Sequence, residues 1–245
     1  MSSQRPSPPD VGIVIVAAGR GERLGTGGAP KQFRELAGLP IVLWAVRPFL
    51  AHPAVHALVL VLPPADAASP PPWLAELAGE RLILVPGGPE RTDSVRAGLV
   101  ALPAAASVVL VHDGARPFPD PGVIDTVVVA ARRGRSAIAA LPVSDTLKRG
   151  GPPLAGRAPV VEQTVVRDGL WRAQTPQGFP RAVLERAYAA SPPGTATDDA
   201  AMVELLGEPV ALVLDSPFNL KITTQADLAL AEVIARDRRH APVPQ

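Results

Sequence analysis

Val11-Gly12-Ile13-Val14-Ile15-Val16-Ala17-Ala18 runs directly into Gly19-Arg20-Gly21-Glu22-Arg23-Leu24-Gly25. The first eight residues are apolar without polar alternation, the pattern of a strand in a parallel sheet covered on both faces. The glycine loop stands where that strand ends. Glycines let a backbone approach a ligand closely and turn N–H groups toward phosphate oxygens. Two familiar phosphate loops do not match. A P-loop ends in Gly-Lys-Ser/Thr, which is absent, and the dinucleotide fingerprint is GxGxxG where this loop reads GxGxxxG. What remains is a glycine loop with fixed cations at Arg23 and, after Pro30, at Lys31. Such cations suit a triphosphate whose transferred phosphorus gains charge in the transition state. An ordinary βα turn with surface charges is the alternative.

Outward from this strand, further apolar runs predict strands over 57–62, 81–85, 107–112, 136–143 and 210–214. Helical patterns fall at 40–51, 73–77, 121–133, 180–190, 198–206 and 224–236, with one more leading from the second glycine loop to about 102. Strand alternating with helix predicts an α/β fold, doubly wound around a mostly parallel sheet. Residues 144–175 break the rhythm. Ser144–Arg149 and Val160–Arg167 are two extended segments joined by a Gly/Pro turn at 150–153, which predicts a protruding β-hairpin arm over about 144–170. The residues that follow, to Gln177, read as part of the same arm. The expected domain is therefore 11–236, with a disordered Pro/Ser-rich leader at 1–10 and a flexible tail at 237–245.

Composition narrows the classes. The chain has 245 residues, with Lys plus Arg 24 and Asp plus Glu 23, so it is close to neutral. That argues against bulk electrostatic binding to nucleic acid or to a membrane. Cysteine is absent, which excludes disulfides, zinc–thiolate sites, iron–sulfur clusters and a Cys nucleophile, and permits the cytoplasm. No apolar run approaches the ~20 residues of a membrane span, and the first ten residues lack the apolar core of a secretory signal. Lysine occurs only at 31, 148 and 221, and the single Asn, Asn219, lies two residues from the last of these.

The remaining strand ends carry the other candidate sites. Gly87-Gly88-Pro89-Glu90-Arg91-Thr92-Asp93-Ser94 follows the strand at 81–85, where open α/β sheets bind ligands. Gly88 and Ser94 could contact a base or ribose; alternatively Ser94 caps the next helix. His112-Asp113-Gly114-Ala115-Arg116-Pro117 closes another strand. Asp113 there can sit near a magnesium–phosphate group and Arg116 can take a phosphate oxygen, or the two form a turn pair. His112 reads as a packed core residue. The arm adds Asp145-Thr146-Leu147-Lys148-Arg149 and Arg167-Asp168-Gly169; its edges need covering, and interlocked arms of a dimer would cover them. Thr197-Asp198-Asp199 reads as a helix cap. In Asn219-Leu220-Lys221-Ile222-Thr223, Lys221 has no evident structural duty.

AAGxGxR, PKQF, GGPERTDSV, HDGARP, PVSDTLKR, GLWRAQTPQGF, TDD and NLKIT stand in one order over about 11–236. In that order and spacing the chain resembles the 2-C-methyl-D-erythritol 4-phosphate cytidylyltransferase family of the non-mevalonate isoprenoid pathway. The resemblance implies a Rossmann-like nucleotidyltransferase fold, akin to glycosyltransferase-A. It also implies transfer of CMP from CTP to methylerythritol phosphate with magnesium, by a cytoplasmic homodimer joined through its arms. It implies that Arg23 and Lys31 stabilise the transition state, and that Arg167 and Lys221 position the acceptor phosphate. Asp113 and Arg116 form the substrate- and metal-proximal turn, and Thr146 reaches the neighbouring subunit's site. Ala17, Ala18, Gly19, Gly21, Gly88, Ser94 and Asp113 fall in the nucleotide pocket. The stretch 25–29 is about one residue longer than is common, and the third turn reads DGAR where DAAR is frequent. A cytidylyltransferase for another polyol phosphate, such as ribitol 5-phosphate, is the enzymatic alternative. A non-catalytic nucleotide-binding dimer is the alternative from another class. A fused second pathway domain is not expected, since little chain follows the closing helix.

Overall fold

The computed structural model describes residues 9–19, 30–152, 158–190 and 197–240. The opening strand, β1 (Val11–Val16), is followed by a small hairpin, β2 (Glu35–Leu36) and β3 (Leu39–Pro40), and by α1 (Ile41–Ala51). Next come β4 (Val55–Leu62), the short helices α2 (Pro64–Ala68) and α3 (Pro72–Leu77), β5 (Leu82–Pro86) and α4 (Arg91–Ala101). The middle of the chain supplies β6 (Val108–Asp113), α5 (Pro121–Arg132), β7 (Ser136–Pro142), β8 (Leu147–Gly150), β9 (Val161–Val165) and β10 (Trp171–Pro180). It closes with α6 (Arg181–Ala190), α7 (Asp199–Glu204), β11 (Val210–Leu214) and α8 (Gln225–His240).

Seven strands form one sheet in the order β11-β7-β10-β6-β1-β4-β5. All pairs are parallel except those of β10, which runs antiparallel to both β6 and β7. The doubly wound reading therefore holds. Its physical basis is visible in β1: Ile13 and Ile15 pack with α1 and α5 on one face, while Val14 packs with α4 and α6 on the other. Leu58, Leu60 and Leu62 of β4 share the first face, and Val59 and Val61 the second. A strand buried on both sides has no reason to alternate with polar residues. A third cluster joins Ile234 and Ala235 of α8 to Leu36, Ile41 and Phe118. The chain leaves β1 toward β4 and β5, then returns to place β6 on the opposite side of β1. That reversal opens a crevice at the carboxyl ends of β1 and β6, where Val16 and Asp113 are paired in register.

Several expectations need correcting. Residues 171–180 are the longest strand of the sheet rather than the end of the arm. Gln174, Thr175 and Gln177, with Pro176 and Pro180, hide its strand character, because polar residues and prolines argue against a central strand. The inner half of β10 is nevertheless buried: Gln174 donates to the Asn219 carbonyl, and Gln177 donates to the Gln174 carbonyl and to Asp198. Between β7 and β10, β8 and β9 pair antiparallel as a separate, largely exposed two-stranded sheet. Ser94 is not the cap of α4. Glu90 is, in a reciprocal capping box with Asp93, and Ser94 lies inside the helix, donating to the Glu90 carbonyl at 3.3 Å. Residues 64–68, for which no helix is expected, form the short helix α2. The closing helix runs to His240, into the region read as tail. The leader at 1–8 and the tail at 241–245 lie outside the described residues. No described helix is long and apolar enough to cross a membrane.

Candidate active site

Three turns meet above the crevice because two of them lack a Cβ. A Cβ on Gly87 would lie 2.5 Å from the Cβ of Ala18, and one on Gly114 would lie 2.9 Å from the Cβ of Ala17. The DGAR turn thus owes its glycine to close packing against the first loop. A cavity of about 910 Å³ opens between these turns, walled by Ala17–Gly19, by Pro89–Arg91 with Ser94, and by Asp113–Ala115. Lys31 and Lys221 enter it from two further segments.

Lys31 sits in a single 3₁₀ turn, Lys31–Phe33, opened by Pro30. The turn is anchored from below: buried Gln32 donates to Asp66 Oδ2 at 2.9 Å, and Phe33 packs edge-on against Trp73 at 5.7 Å. Lys221 is placed by its neighbours. Asn219 is fully buried; its Nδ2 donates to the Thr175 carbonyl (2.7 Å) and to Asp215 (2.6 Å). Its carbonyl accepts from Arg116 (2.8 Å) and Gln174 (3.0 Å). Ile222 is buried too, and its N–H donates to the Ala115 carbonyl. Between these two anchors Lys221 extends to the cavity and pairs with Asp113 Oδ2 at 2.8 Å.

Asp113 is the electrostatic centre. Its Oδ1 lies 3.4 Å from Arg91 Nε, and Oδ2 faces Lys221 and, at 3.8 Å, Arg116 Nε. Burial alone would push its carboxyl up, but Arg91, Lys221 and Arg116 outweigh it and hold it well below the usual carboxylate range. Arg116 is buried and spends Nη1 on the Asn219 carbonyl, so it braces the segment that carries Lys221 and does not itself wall the cavity. Gly88 adjoins the cavity through Pro89 and Glu90 without lining it. Thr146 and Arg167 are exposed on the arm and do not line it; the Arg167 guanidinium contacts the Ser144 carbonyl. Gly21 and Arg23 lie outside the described residues.

His112 is buried as expected, and it also ties the DGAR turn to β10. Its Nε2 donates to the Arg116 carbonyl at 2.9 Å, which fixes the tautomer, and its Nδ1 accepts from Thr175 Oγ1 at 3.0 Å. Thr175 Oγ1 in turn accepts from the Asp113 N–H. Burial, with Arg116 nearby, pushes the imidazole down from 6.5 to about 4, so it stays neutral at pH 7. The denatured chain takes up this proton near the ordinary value, so it binds more protons than the native state between 6.5 and 4. Stability is therefore complete above that window and falls as pH drops through it, by about 3 kcal/mol in total. His112→Gln is expected to be less stable at neutral pH and to lose most of this slope. Urea midpoints that decline equally steeply in both proteins across the window would contradict the assignment.

Sequence reading missed Arg91, Tyr188 and Asp199. Arg91 Nη2 donates to Asp199 Oδ2 at 2.7 Å, beneath the cavity wall. The available signal was the doubled acid at 198–199: Asp198 alone caps α7, accepting from the Ala201 N–H at 3.0 Å, which leaves the second carboxylate without a capping duty.

Among the described residues, no three His, Cys, Asp or Glu side chains converge as a metal cage. Magnesium, however, is usually held by one or two carboxylates together with substrate phosphates. An ionised Asp113 on the cavity wall fits a magnesium ion brought in on a triphosphate.

The IspD family model, 2-C-methyl-D-erythritol 4-phosphate cytidylyltransferase, matches residues 11–237. The enzyme of that name from Pelotomaculum thermopropionicum is 44% identical over 233 residues, covering 94% of this chain and 95% of the relative. The bifunctional enzyme IspD/IspF of Rhodospirillum rubrum is 46% identical over 229 residues; the match covers 92% of this chain but 57% of that longer protein. Among solved structures, 2-C-methyl-D-erythritol 4-phosphate cytidylyltransferase from Thermus thermophilus superposes with a TM-score of 0.74 at 36% identity, over 93% of this chain and 99% of that one. On its sequence, its sheet topology and the full-length match, the chain belongs to the 2-C-methyl-D-erythritol 4-phosphate cytidylyltransferase family.

Proposed function

We propose that this chain transfers CMP from CTP to 2-C-methyl-D-erythritol 4-phosphate, giving 4-CDP-2-C-methyl-D-erythritol and pyrophosphate for isoprenoid precursor synthesis. The observation that carries the reading is the convergence of Lys31, Arg91 and Lys221, from separate segments, on one cavity beside the first glycine turn. An oxygen of the acceptor phosphate attacks the α-phosphorus; that bond forms as the bond to the pyrophosphate oxygen breaks. The acceptor monoester has its second pKa near ~6 and is mostly a dianion at pH 7, so no strong general base is needed. His112, buried and neutral, is not required as one. The obstacle is repulsion between two anions. Lys221, aimed by Asp113, supports the acceptor phosphate, with Arg167 assigned the same task from a second subunit. Lys31, with Arg23, supports the α-phosphate and the departing pyrophosphate. Magnesium, held by the triphosphate and Asp113, would supply further neutralisation of phosphate charge. The backbone of Ala17–Gly19 with Ser94 forms the nucleoside side of the cavity.

The homodimer belongs to the same proposal. Val160, Val161 and Val166 are each more than 60% exposed on the arm, apolar surface that a second arm would cover. A cytoplasmic location, where a nucleoside triphosphate substrate is supplied, belongs to the same proposal. Pyrophosphate release with CTP and magnesium tests the activity, comparing methylerythritol phosphate with ribitol 5-phosphate as acceptors. Turnover with the first and little with the second is expected. Preference for ribitol 5-phosphate would reassign the acceptor, and no release with either would refute the reading.

A further inference from the structure

Asp199 is a carboxylate with no exposed surface, on a helix whose cap is already provided by Asp198. Its two oxygens are both engaged. Oδ1 accepts from Tyr188 Oη at 2.5 Å and Oδ2 accepts from Arg91 Nη2 at 2.7 Å. The neighbouring Nε of Arg91 lies 3.4 Å from Asp113 Oδ1, and Asp113 Oδ2 holds the Lys221 ammonium. Charges thus alternate in an unbroken line, Asp199, Arg91, Asp113, Lys221, from the interior to the cavity. The interior end is rigid. Gln177 of β10 accepts from the Ala200 N–H and donates to Asp198, both at 2.9 Å, which ties the start of α7 to the sheet. The Tyr188 ring is held in turn beneath the Arg96 guanidinium at 5.3 Å.

Burying an ionised carboxylate against a guanidinium is a poor route to stability, since a well-packed apolar pair of similar size does as well or better. What such a pair does supply is direction. A guanidinium gripped at one edge by a fixed carboxylate offers its other N–H groups in one plane only. Arg91 on Oδ1, with Arg116 on Oδ2, constrains the rotation of the Asp113 carboxylate whose Oδ2 holds Lys221.

We propose that Asp199 and Tyr188 are positioning residues for the acceptor phosphate, acting through Arg91 and Asp113 on the direction of the Lys221 ammonium. The inference rests on the cytidylyltransferase reading above and deepens it, because neither residue reaches the cavity. If Asp199 is neutralised, Arg91 turns its whole charge on Asp113 and competes with Lys221 for the carboxylate. The acceptor site should suffer while the nucleoside side, built from backbone of the first two loops, should not.

The test is steady-state pyrophosphate release, varying acceptor and CTP separately. Asp199→Asn is expected to raise the acceptor KM about tenfold and to leave the CTP KM within about twofold. Tyr188→Phe keeps the ring beneath Arg96 and removes one hydrogen bond, and about a threefold rise in acceptor KM is expected. It decides the matter if the Asp199 variant does not fold. Combined with Lys221→Arg, Tyr188→Phe should add less than its separate factor, because both changes act on one ammonium position. If wild type turns over but the variants raise both KM values equally, or the factors simply multiply, the positioning role is overturned. If wild type releases no pyrophosphate, the catalytic reading falls and this inference falls with it.

Discussion

Lys31→Ala is expected to lower kcat on the order of 10²-fold or more, with CTP binding weakened by only a few-fold. The asymmetry follows from where charge appears. In the ground state several groups would share the hold on CTP, and one ammonium on the wall of an open cavity would contribute modestly. In the transition state the α-phosphorus and the departing pyrophosphate gain charge, and a cation already fixed nearby stabilises that charge without reorganising. The fixing is specific: Lys31 occupies a turn pinned through Gln32 to Asp66 and through Phe33 to Trp73. Single-turnover rates at saturating CTP, alongside equilibrium CTP titration, separate the two effects. A variant with near-normal turnover and poor CTP binding would show that Lys31 is a binding residue only.

Arg167→Ala is expected to lose activity to a similar degree, and mixing it with Lys31→Ala is expected to bring activity back. Within its own chain Arg167 stands on the arm and does not line the cavity, so its proposed role requires a second subunit. In a hybrid dimer one site would then combine the intact Lys31 of one protomer with the intact Arg167 of the other, while the second site carries both lesions. Random exchange makes half the dimers hybrid, each with one good site of two, so about a quarter of wild-type activity should return. Subunit exchange confirmed by mass with no gain in rate would place Arg167 outside the catalytic site.

The parts of this molecule that were legible in its sequence are those where local pattern and tertiary role agree. The unalternating run of β1 announces a sheet covered on both faces, and helices do cover both. Pro30-Lys31 and Asn219-Leu220-Lys221 stood out because lysine is scarce, and both lysines enter the same cavity. β10 was illegible because its inner residues are polar; only the packed interior, where Gln177 and Thr175 find partners, makes that composition tolerable in a central strand. Of the two readings of Ser94 only the cap fails: the Glu90–Asp93 pair one turn earlier takes that duty, and Ser94 lines the cavity. Arg91 and Asp199 lie 108 positions apart, and they meet because α4 and α7 pack into the same core cluster on one face of the sheet.

The central claim is geometric: the cations of separate turns surround one reactive phosphorus. It is tested most directly by a crystal structure of the wild-type protein with CTP and magnesium. The α-phosphate is expected between Lys31 and the Asp113–Lys221 pair, with the nucleoside against Ala17–Gly19. A triphosphate bound elsewhere, for example in the cavity beside His52 and Arg81, would contradict the account.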